Sequence, residues 1–592
     1  MNQENFDHKQ KLKENIGILI ENEKLDEAKE LLELYEQVEH DDIEIYSMKG
    51  VIAMMEGDLD EAEQILQEGL KNDAYNCDLM YNLAYIYETT RLECKTLAIY
   101  YFNRCIEVTN DNNLRLQLEK RIQNLKENLY IYNKAYDKKP FVSIVILAYN
   151  KLEYTKMCVE SLLKYTRHID YELITVNNGS SDGTEEYFNS IPSRKKVNIR
   201  NNVGGVLGFN AGLLWGEGKY LVFVGNDLIL TKNWLDNLLN CIQSDDKIGF
   251  VAPGSNILSN HQAIPVSYSS IEEMHIFAAK YNVSDPRKWE ERLRNMPLTM
   301  VIKKELFDQT GGFDHRYYLG EFADDDFSFT IRRLGYKLIY AGDTFIHHFG
   351  SITGSEAQQN NNSLGSGSEI FKKKFNIDPW TEASFDSTIV ESVNVFKGVK
   401  KIKILGINCF CGATPLQIKN VLLRKGIKNT EIINYTSSGK YEEDLKTVSK
   451  LAVMDRLTRI SDYKMIRDVN YVIIESKFDE VEDIDAFIED IKVVVSCKYQ
   501  IIIKLVNPNY YVNIYNTFNN LSELKQTYVN LHKLLEKFQE HQLGQIETMS
   551  ICEKENNENR ILKSIRINGS LLSSEQEAQL LTRYYIISII KS

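Results

Sequence analysis

One carboxylate in this sequence stands where a buried strand is expected to end. Residues 220–224 form an apolar run, Gly225, Asn226 and Asp227 follow it, and the chain is apolar again at 228–230. In an open α/β sheet, ligands bind outside the carboxyl ends of the strands. A carboxylate at that edge can hold a hard divalent cation, and the cation can hold a diphosphate. Asp227 is therefore predicted to be a metal ligand.

Two further groups of residues could do chemistry. Asp324, Asp325 and Asp326 precede a segment with helical periodicity. Carboxylates at a helix start cap its N–H groups and complement its dipole, but in a cleft one of them could act as a general base. Another predicted strand ends in His347 and His348, and imidazole is a suitable ligand for Mn²⁺.

The elements that would position these groups alternate between strand and helix. The run 141–148 is apolar and β-branched, 153–165 has helical period, and 171–176 is a second apolar run that ends in the polar loop 177–184. Strand, helix and strand with polar loops at the strand ends predict a parallel βαβ unit. The carboxyl ends of these strands would then form one ligand-binding edge.

Four stretches occur in a diagnostic order: VSIVILAYN, VNNGSSDGT, NNVGGVLGFNAG and VGNDLIL. Together they resemble family 2 glycosyltransferases of the GT-A fold, over residues 140–380. The resemblance implies an inverting transfer of a sugar from a nucleotide donor to a hydroxyl, with Mn²⁺ or Mg²⁺ at the diphosphate. It also implies that the donor is a UDP-sugar. The positions that it implies for nucleotide-sugar binding are Tyr149, Asn150, Asn177, Asn178, Gly179, Asp182, Gly204, Gly205, Asn210, Asn226 and Asp227.

The resemblance also assigns the base and the remaining metal ligand. Counting back from the glycine that closes the helix places Asp324 at the family's catalytic base, and Asp325 is kept as the alternative because Ala323 replaces the family's preceding Glu. His348, directly before Phe-Gly-Ser, matches the family's ligand histidine best, and His347 is second. The polar stretch 351–368 is expected to be a loop that closes over the sugar. The strand-end motif lacks its first acid, so Asp227 is the only carboxylate there.

The amino-terminal part, residues 1–110, is predicted to consist of helical repeats. The segment around Ala28 returns around Ala62, 34 positions later, with small residues such as Gly50 between. This is the period of tetratricopeptide (TPR) repeats, which pair two helices per repeat. The array could be a stability or dimerisation module, or a concave surface that binds a protein acceptor; in the second case, removing it should spare donor hydrolysis. Residues 111–139 are expected to form a connecting helix.

The carboxyl-terminal part, residues 400–592, has another α/β pattern, reached through an expected linker at 381–399. The apolar runs at 401–407, 430–435, 469–475 and 499–506 resemble the core of S-adenosylmethionine-dependent methyltransferases. Its first loop, 406–412, keeps only part of the usual glycine pattern, and Phe410 would crowd a cofactor. We therefore expect a degenerate Rossmann-like domain, with S-adenosylmethionine (SAM) unlikely as a ligand. The fold class is a multidomain chain with helical repeats followed by two α/β domains.

Composition restricts the partners and the compartment. The formal charge of −14 over 592 residues argues against general nucleic-acid binding. Nine scattered cysteines without a paired framework suit a reducing compartment. No apolar run approaches the roughly 20 residues that span a bilayer, and the first residues lack a signal-peptide pattern. The expectation is a cytoplasmic protein without direct membrane insertion, which could form a homo-oligomer.

Three functions remain open at this point. The leading hypothesis is transfer of a sugar, N-acetylglucosamine from UDP-GlcNAc by resemblance only, to Ser or Thr of a protein. The combination of repeats and transferase resembles bacterial flagellin and surface-protein O-glycosyltransferases. The first alternative is a transferase that builds a surface polysaccharide or a lipid-linked glycan. The second is a non-catalytic scaffold, which the two missing acids favour.

Overall fold

The structure is a computed structural model. It describes residues 3–39, 42–90, 94–134, 138–318, 320–350, 363–399, 401–454, 460–478, 481–513, 529–552 and 574–592. Of the loop expected at 351–368, residues 351–362 lie outside this part. The remainder, 363–368, differs from the expectation because it begins a helix.

Helices pair along the amino-terminal region, as the repeat pattern predicts. They are α1 (Gln3–Glu21), α2 (Leu25–Val38), α3 (Glu44–Glu56), α4 (Leu59–Asn72), α5 (Cys77–Thr89), α6 (Lys95–Val108) and α7 (Asn112–Lys134). Gly50 lets α3 and α4 approach closely, since a Cβ there would stand 2.6 Å from a methyl carbon of Leu66. The assignment of these helices to the tetratricopeptide class stays a prediction.

The middle region is built on a mixed sheet with helices on both sides. Its elements are β1 (Val142–Ala148), α8 (Leu152–Thr166), β2 (Tyr171–Asn178), α9 (Thr184–Ser190), β3 (Lys195–Ile199), α10 (Gly204–Leu213), β4 (Tyr220–Gly225), β5 (Leu228–Ile229), α11 (Trp234–Ile242), β6 (Ile248–Ser255), α12 (Ile271–Tyr281), β7 (Trp289–Arg292), β8 (Thr299–Lys303), α13 (Lys304–Thr310), α14 (Ala323–Arg333), β9 (Lys337–His348) and α15 (Ser363–Phe375). Among the described residues the strand order is β3-β2-β1-β4-β8-β6-β9-β5, with β7 beside β9. Strands β3, β2, β1 and β4 are parallel, which is consistent with the expected GT-A fold.

The carboxyl-terminal region contains a second sheet. Its elements are α16 (Pro379–Glu382), α17 (Ser387–Glu391), β10 (Ile402–Ile407), α18 (Ala413–Arg424), β11 (Thr430–Thr436), α19 (Glu442–Val448), β12 (Leu451–Met454), β13 (Val469–Ile474), α20 (Ile484–Val494), β14 (Val495–Val506), α21 (Leu531–Glu540), β15 (Gln545–Cys552), α22 (Ser574–Leu581) and β16 (Thr582–Lys591). The described strands run in the order β12-β11-β10-β13-β14-β16-β15, and β16 is antiparallel to both neighbours. The methyltransferase-like assignment stays a prediction.

The segment 381–399 is packed rather than a free linker. Ile389 and Phe396 are buried in the same apolar cluster as β10. The Asp386 carboxylate accepts a hydrogen bond from Lys504 at 2.7 Å, and the backbone N–H of Asn394 donates one to the side-chain oxygen of Gln500 at 2.8 Å. These contacts fix the segment against the second sheet.

The repeat helices α4 to α6 pack directly against the middle region. Tyr100 on α6 donates a hydrogen bond from its hydroxyl to the carbonyl of Phe313 at 3.0 Å, and Thr96 donates one to the carbonyl of Ala211 at 3.1 Å. Helices α3 to α7 share one apolar cluster with both sheets. Most buried apolar residues of α1 and α2 form a separate small cluster with α3. The repeats are therefore not a detachable module, and the expectation that removing them spares donor hydrolysis is revised.

Helix α14 of the middle region is held against the carboxyl-terminal region by buried ion pairs. Arg332 is 2% exposed and pairs with Asp444, which is fully buried. Arg333 donates a hydrogen bond to the other oxygen of Asp444 at 2.8 Å. Removing one member of a buried ion pair leaves the other charge without compensation and is strongly destabilising.

We therefore expect Asp444→Ala to lower the free energy of unfolding by about 3–5 kcal/mol. Glu443→Ala is the matched control, because Glu443 also pairs with Arg333 but its side chain is 71% exposed; exposed pairs contribute about 0–1 kcal/mol. Denaturant unfolding of both variants measures the difference. Equal effects would show that the buried pair does not hold the two regions together.

Candidate functional site

The carboxyl ends of three parallel strands meet at one edge of the middle sheet. Strand β1 pairs with β2 so that Ala148 lies beside Asn177, and with β4 so that Leu147 lies beside Gly225. The loops that follow these strands therefore start next to each other. The Asn226 side-chain amide donates a hydrogen bond to the carbonyl of Asn150 at 3.2 Å, which ties two of these loops together.

Asp227 and His348 form a pair at this edge. Strands β5 and β9 are antiparallel with Leu228 beside His348, and the Asp227 Oδ2 lies 3.1 Å from the His348 Nε2. The His348 Nδ1 donates to the carbonyl of Ile257 at 3.2 Å, which orients the ring with Nε2 toward the carboxylate. Burial alone would lower the pKa of His348, but the hydrogen bond and the charge of Asp227 raise it above its usual value.

His347 points elsewhere. Neighbouring side chains alternate across a strand, and the His347 Nδ1 lies 2.6 Å from the Tyr268 hydroxyl. Burial lowers the pKa of His347, and the neighbouring His348 lowers it further. Of the two predicted histidines, the structure brings His348, not His347, to Asp227.

The donor set around Asp227 fits a divalent cation that is shared with a ligand. Within the described residues there is no cluster of three or more His, Cys, Asp or Glu side chains arranged to hold a metal. A carboxylate and an imidazole are suitable ligands for Mn²⁺, but two side chains do not make a closed protein site. Diphosphate oxygens and water would have to complete the coordination.

The three consecutive aspartates at the start of α14 have different surroundings. Asp325 accepts hydrogen bonds on both oxygens, from Arg294 at 2.7 Å and from the Trp380 indole at 2.8 Å. Asp326 is held by Lys374 at 2.7 Å and by the Tyr317 hydroxyl at 3.0 Å. The Asp324 carboxylate has no side-chain hydrogen-bond donor in the part of the chain that the structure describes. The contacts therefore favour Asp324 over Asp325 as a base.

The surroundings of Asp324 also make it a stronger base than an ordinary carboxylate. Burial raises its pKa and the adjacent Asp325 raises it further, to about 8, against a smaller opposing effect of Arg294. A carboxyl group with a pKa near neutrality accepts a proton more readily than one with a pKa near 4. Asp324 thus combines a free side chain with a raised pKa.

Two residues predicted to contact the nucleotide are instead occupied within the protein. The side-chain amide of Asn210 is fully buried, donates to the carbonyl of Phe313 and accepts from the Phe313 N–H, both at 2.8 Å. The Asn178 side chain donates to Asn202 at 2.9 Å and accepts from the Val203 N–H at 3.0 Å. These hydrogen bonds hold the loops in place. They leave no polar atom of either side chain facing outward to meet a nucleotide.

Other predicted residues shape the loops. The Asn150 side chain accepts from the Ser181 N–H at 2.9 Å, Asn177 accepts from the Ser180 N–H at 3.1 Å, and Asp182 accepts from the Leu152 N–H at 2.8 Å. These contacts lock the loops after β1 and β2 to each other. They leave backbone groups and exposed side chains to meet a ligand.

Glycines and one tyrosine remain accessible or allow close approach. Gly179 has a φ of +75°, and a Cβ there would stand 2.7 Å from the Asn202 nitrogen. Gly204 has a φ of +81° and is packed against Tyr318, whereas a Cβ on Gly205 would meet no atom within 4 Å. Tyr149 is 39% exposed and can stack on a base. Open space at Gly205 and the exposed ring of Tyr149 are the features that suit a nucleotide.

The sequence did not single out three residues that hold the aspartate cluster. Arg294 and Trp380 fix Asp325, and Lys374 fixes Asp326. They lie 31, 55 and 48 positions from their partners. Contacts between residues so far apart in the sequence leave no local sequence pattern. The only signal was the acidic cluster itself, because adjacent carboxylates need positively charged neighbours.

Comparison with protein families agrees with this geometry. Residues 143–310 match the family described as Glycosyl transferase family 2. This segment of the chain is therefore similar to family 2 glycosyltransferases. Asp227 and the predicted nucleotide-binding positions lie inside the matched segment, and Asp324 and His348 follow it.

Proteins of several organisms are similar to part of this chain. The chain is 25% identical over 230 residues to the uncharacterized protein y4gI of Sinorhizobium fredii (36% of this chain, 25% of the relative). It is 25% identical over 219 residues to glycosyltransferase AglE of Haloferax volcanii (35% and 67%). It is 29% identical over 150 residues to the hyaluronan synthase of Pasteurella multocida (22% and 15%). The matches thus span from 15% to 67% of these relatives' lengths.

Solved structures were compared as well. A mannosyltransferase from Pyrobaculum calidifontis, solved with GDP-Man and Mn²⁺, aligns at a TM-score of 0.30 and 17% identity, over 40% of this chain and 65% of that chain.

Among the described helices, none has the length and apolar character needed to cross a membrane.

Proposed function

We propose that this chain is an inverting glycosyltransferase that moves a sugar from a nucleotide donor to an acceptor hydroxyl. The observation that carries the proposal is the Asp227–His348 pair, 3.1 Å apart, at the carboxyl edge of the sheet. The similarity of residues 143–310, which include Asp227, to family 2 glycosyltransferases supports the proposal. A divalent cation held by Asp227 and His348 would neutralise the diphosphate as it leaves.

Asp324 is the base in this proposal. Its carboxylate takes the proton from the acceptor hydroxyl. The acceptor oxygen then forms a bond to the anomeric carbon, while the bond from that carbon to the diphosphate oxygen breaks on the opposite side. Attack opposite to the leaving group inverts the configuration, and the nucleoside diphosphate departs with the electron pair. The protein contributes chiefly alignment and charge stabilisation.

For the donor we propose a UDP-sugar, with UDP-GlcNAc as the first candidate. Tyr149 is exposed at the end of β1 and offers a ring for the base. Asn177 replaces the family's acidic residue, so the contact to the base would be uncharged. SAM has no part in this reaction.

For the acceptor we propose a Ser or Thr hydroxyl of a protein, such as flagellin or another surface protein. Helices α4 to α6 are occupied by the middle region, but α1 and α2 expose Ile18, Leu34 and Val38 at 53%, 57% and 71%. Exposed apolar side chains on neighbouring helices are a suitable surface for a protein partner. This surface would bring the acceptor to the enzyme.

A polysaccharide or lipid-linked glycan is the second candidate acceptor. The similarity to the hyaluronan synthase of Pasteurella multocida favours it. The two candidates differ in which acceptor, the protein or the glycan, gains the mass of a sugar residue. A chain that is only a scaffold would release no nucleoside diphosphate from any donor.

The direct test incubates the protein with a panel of nucleotide sugars, Mn²⁺ and both acceptor classes. Release of nucleoside diphosphate measures donor turnover, and mass spectrometry of the acceptors identifies the product. Turnover without any change in a protein acceptor would favour the glycan acceptor. No turnover of any donor would contradict the proposed function.

Metal dependence gives a separate prediction. EDTA should abolish turnover, and Asp227→Asn should reduce it by about 10²-fold or more, because the diphosphate loses its charge-neutralising cation. Asp246→Asn is the control, since Asp246 is exposed at the end of α11, outside this edge. Full activity in EDTA would exclude the proposed role of Asp227 and His348.

A further inference from the structure

Glu63 on helix α4 is a buried carboxylate in the repeat region, with only 3% of the residue exposed. Its Oε1 accepts hydrogen bonds from the Tyr87 hydroxyl at 2.6 Å and from Gln67 at 3.1 Å. Its Oε2 accepts one from the Asn201 side chain at 3.3 Å. Burial raises the pKa of Glu63, and the hydrogen bonds from Tyr87 and Asn201 oppose this. The contact with Asn201 joins positions 138 residues apart.

Asn201 begins the loop 201–204, which leads into α10. The next residue, Asn202, accepts hydrogen bonds on its Oδ1 from Asn178 and from the Gly204 N–H, both at 2.9 Å. On the middle sheet this loop is therefore held by the end of β2. On its other side the buried partner of the loop is Glu63. The loop lies between a strand end of the candidate site and a repeat helix.

Other contacts at this junction are more exposed. Arg200 and Asp60 lie 3.1 Å apart with both side chains 51% exposed, and such pairs contribute about 0–1 kcal/mol. Lys71 lies 5.3 Å from the ring centre of Tyr318, whose hydroxyl donates to the carbonyl of Asn202 at 3.0 Å. All these contacts converge on positions 200–202. Glu63 differs from them because it is buried, so water cannot replace its hydrogen bond to Asn201.

A purely structural explanation accounts poorly for a carboxylate here. Burying a charge or an unpaired polar group is costly, and an apolar side chain would pack α4 against α5 without that cost. A carboxylate with two fixed donors on one oxygen instead presents its other oxygen in a defined direction. That direction determines where Asn201 lies.

We propose that Glu63 is a positioning residue of the donor site. By holding Asn201 it fixes loop 201–204 and the start of α10, where the open space at Gly205 meets the donor. The repeat helices thus complete the nucleotide-sugar site of the transferase. This inference rests on the proposed function, since it assigns Glu63 to the donor-binding step of that reaction.

The test compares donor kinetics and UDP binding in four proteins. Glu63→Leu keeps most of the side-chain volume but has no acceptor atom, so the hydrogen bond from Asn201 is lost. We expect the KM for the donor and the Kd for UDP with Mn²⁺ to rise about 5–10-fold, the effect of one hydrogen bond, with kcat within twofold. Asn201→Leu removes the same hydrogen bond from the side of the loop, leaves Glu63 bonded to Tyr87 and Gln67, and should raise both constants by a similar factor.

Glu61→Gln is the matched control, because Glu61 is exposed on the same helix; it should leave KM and Kd unchanged. Thermal unfolding of all variants separates positioning from stability. If Glu63→Leu lowers Tm but leaves KM and Kd within twofold, or if Asn201→Leu leaves them unchanged, the inference is overturned. If wild type neither binds UDP nor turns over any donor, the proposed function fails first.

Discussion

The Asp324→Asn variant should lose sugar transfer by about 10³-fold while it retains nucleoside diphosphate binding. General base catalysis contributes about 10²–10⁴-fold, and the neighbouring Asp325 cannot substitute because Arg294 and Trp380 occupy both of its oxygens. Steady-state transfer rates and calorimetric titration with UDP and Mn²⁺ measure the two properties. The control is Asp308→Asn, an exposed carboxylate on the preceding helix, which should behave as wild type.

The pH dependence of the wild-type enzyme provides a second readout of the same residue. Because burial and Asp325 raise the pKa of Asp324 to about 8, kcat should rise with pH and level off above about pH 8. A profile that is flat from pH 6 to 9, or an active Asp324→Asn variant, would contradict its role as base.

Stability should change in the opposite direction to activity. The folded state holds a proton on Asp324 between pH 3.8 and about 8, whereas the unfolded chain releases it, so this group makes the fold less stable as pH rises through that window. An asparagine removes the penalty. We therefore expect Asp324→Asn to unfold at a higher temperature than wild type at pH 8, by about 1 kcal/mol or more in free energy, with the difference vanishing below about pH 4.

Deletion of residues 1–110 should abolish both donor turnover and soluble expression. The deletion removes Tyr100 and Thr96, which bond to Phe313 and Ala211, and it exposes the apolar surface that α3 to α6 share with the middle region. It also removes Glu63 and its contact to the donor-side loop. Expression yield, size-exclusion chromatography and donor turnover measure the result.

A shorter deletion provides the matched control. Removing residues 1–40 takes away α1 and α2, whose buried side chains pack mainly with α3 in a separate cluster. This variant should remain soluble and turn over its donor, and it should lose modification of a protein acceptor if the exposed apolar residues of α1 and α2 bind it. An active, soluble protein lacking all of residues 1–110 would show that the repeats are a separable module after all.

The proposed reactive residues were easier to recognise in the sequence than the residues that hold them in place. Asp227, His348 and Asp324 stand at the ends of strands or at the start of a helix, and such positions are readable from local pattern. The family pattern also pointed to Asn178 and Asn210 as nucleotide contacts, but both amides are used within the protein. A sequence pattern can predict that an amide side chain is needed at a position. It does not show whether that amide binds a nucleotide or another part of the protein.

Fold prediction succeeded where periodicity is local. The helix pairs and the first strands of both sheets follow from 3.6-residue and apolar patterns. Strands β3, β6, β7 and β8 of the middle sheet and β12, β15 and β16 of the second sheet were not predicted. The predicted linker 381–399 is packed because Asp386 and Asn394 bond to β14, more than 100 positions away. Packing between regions depends on such distant pairs, which local composition does not reveal.

The hydrogen bond between Tyr100 and Phe313 also bears on how the chain is made. Its two residues are 213 positions apart, and ribosomes add about 5–20 residues per second. Helix α6 therefore leaves the ribosome about 10–40 s before its partner strand and loop exist. During that interval its buried face, including Leu97, Tyr101 and Phe102, is open to other nascent chains. Production of this protein should consequently depend on chaperones that shield the early helices until the middle region has been translated.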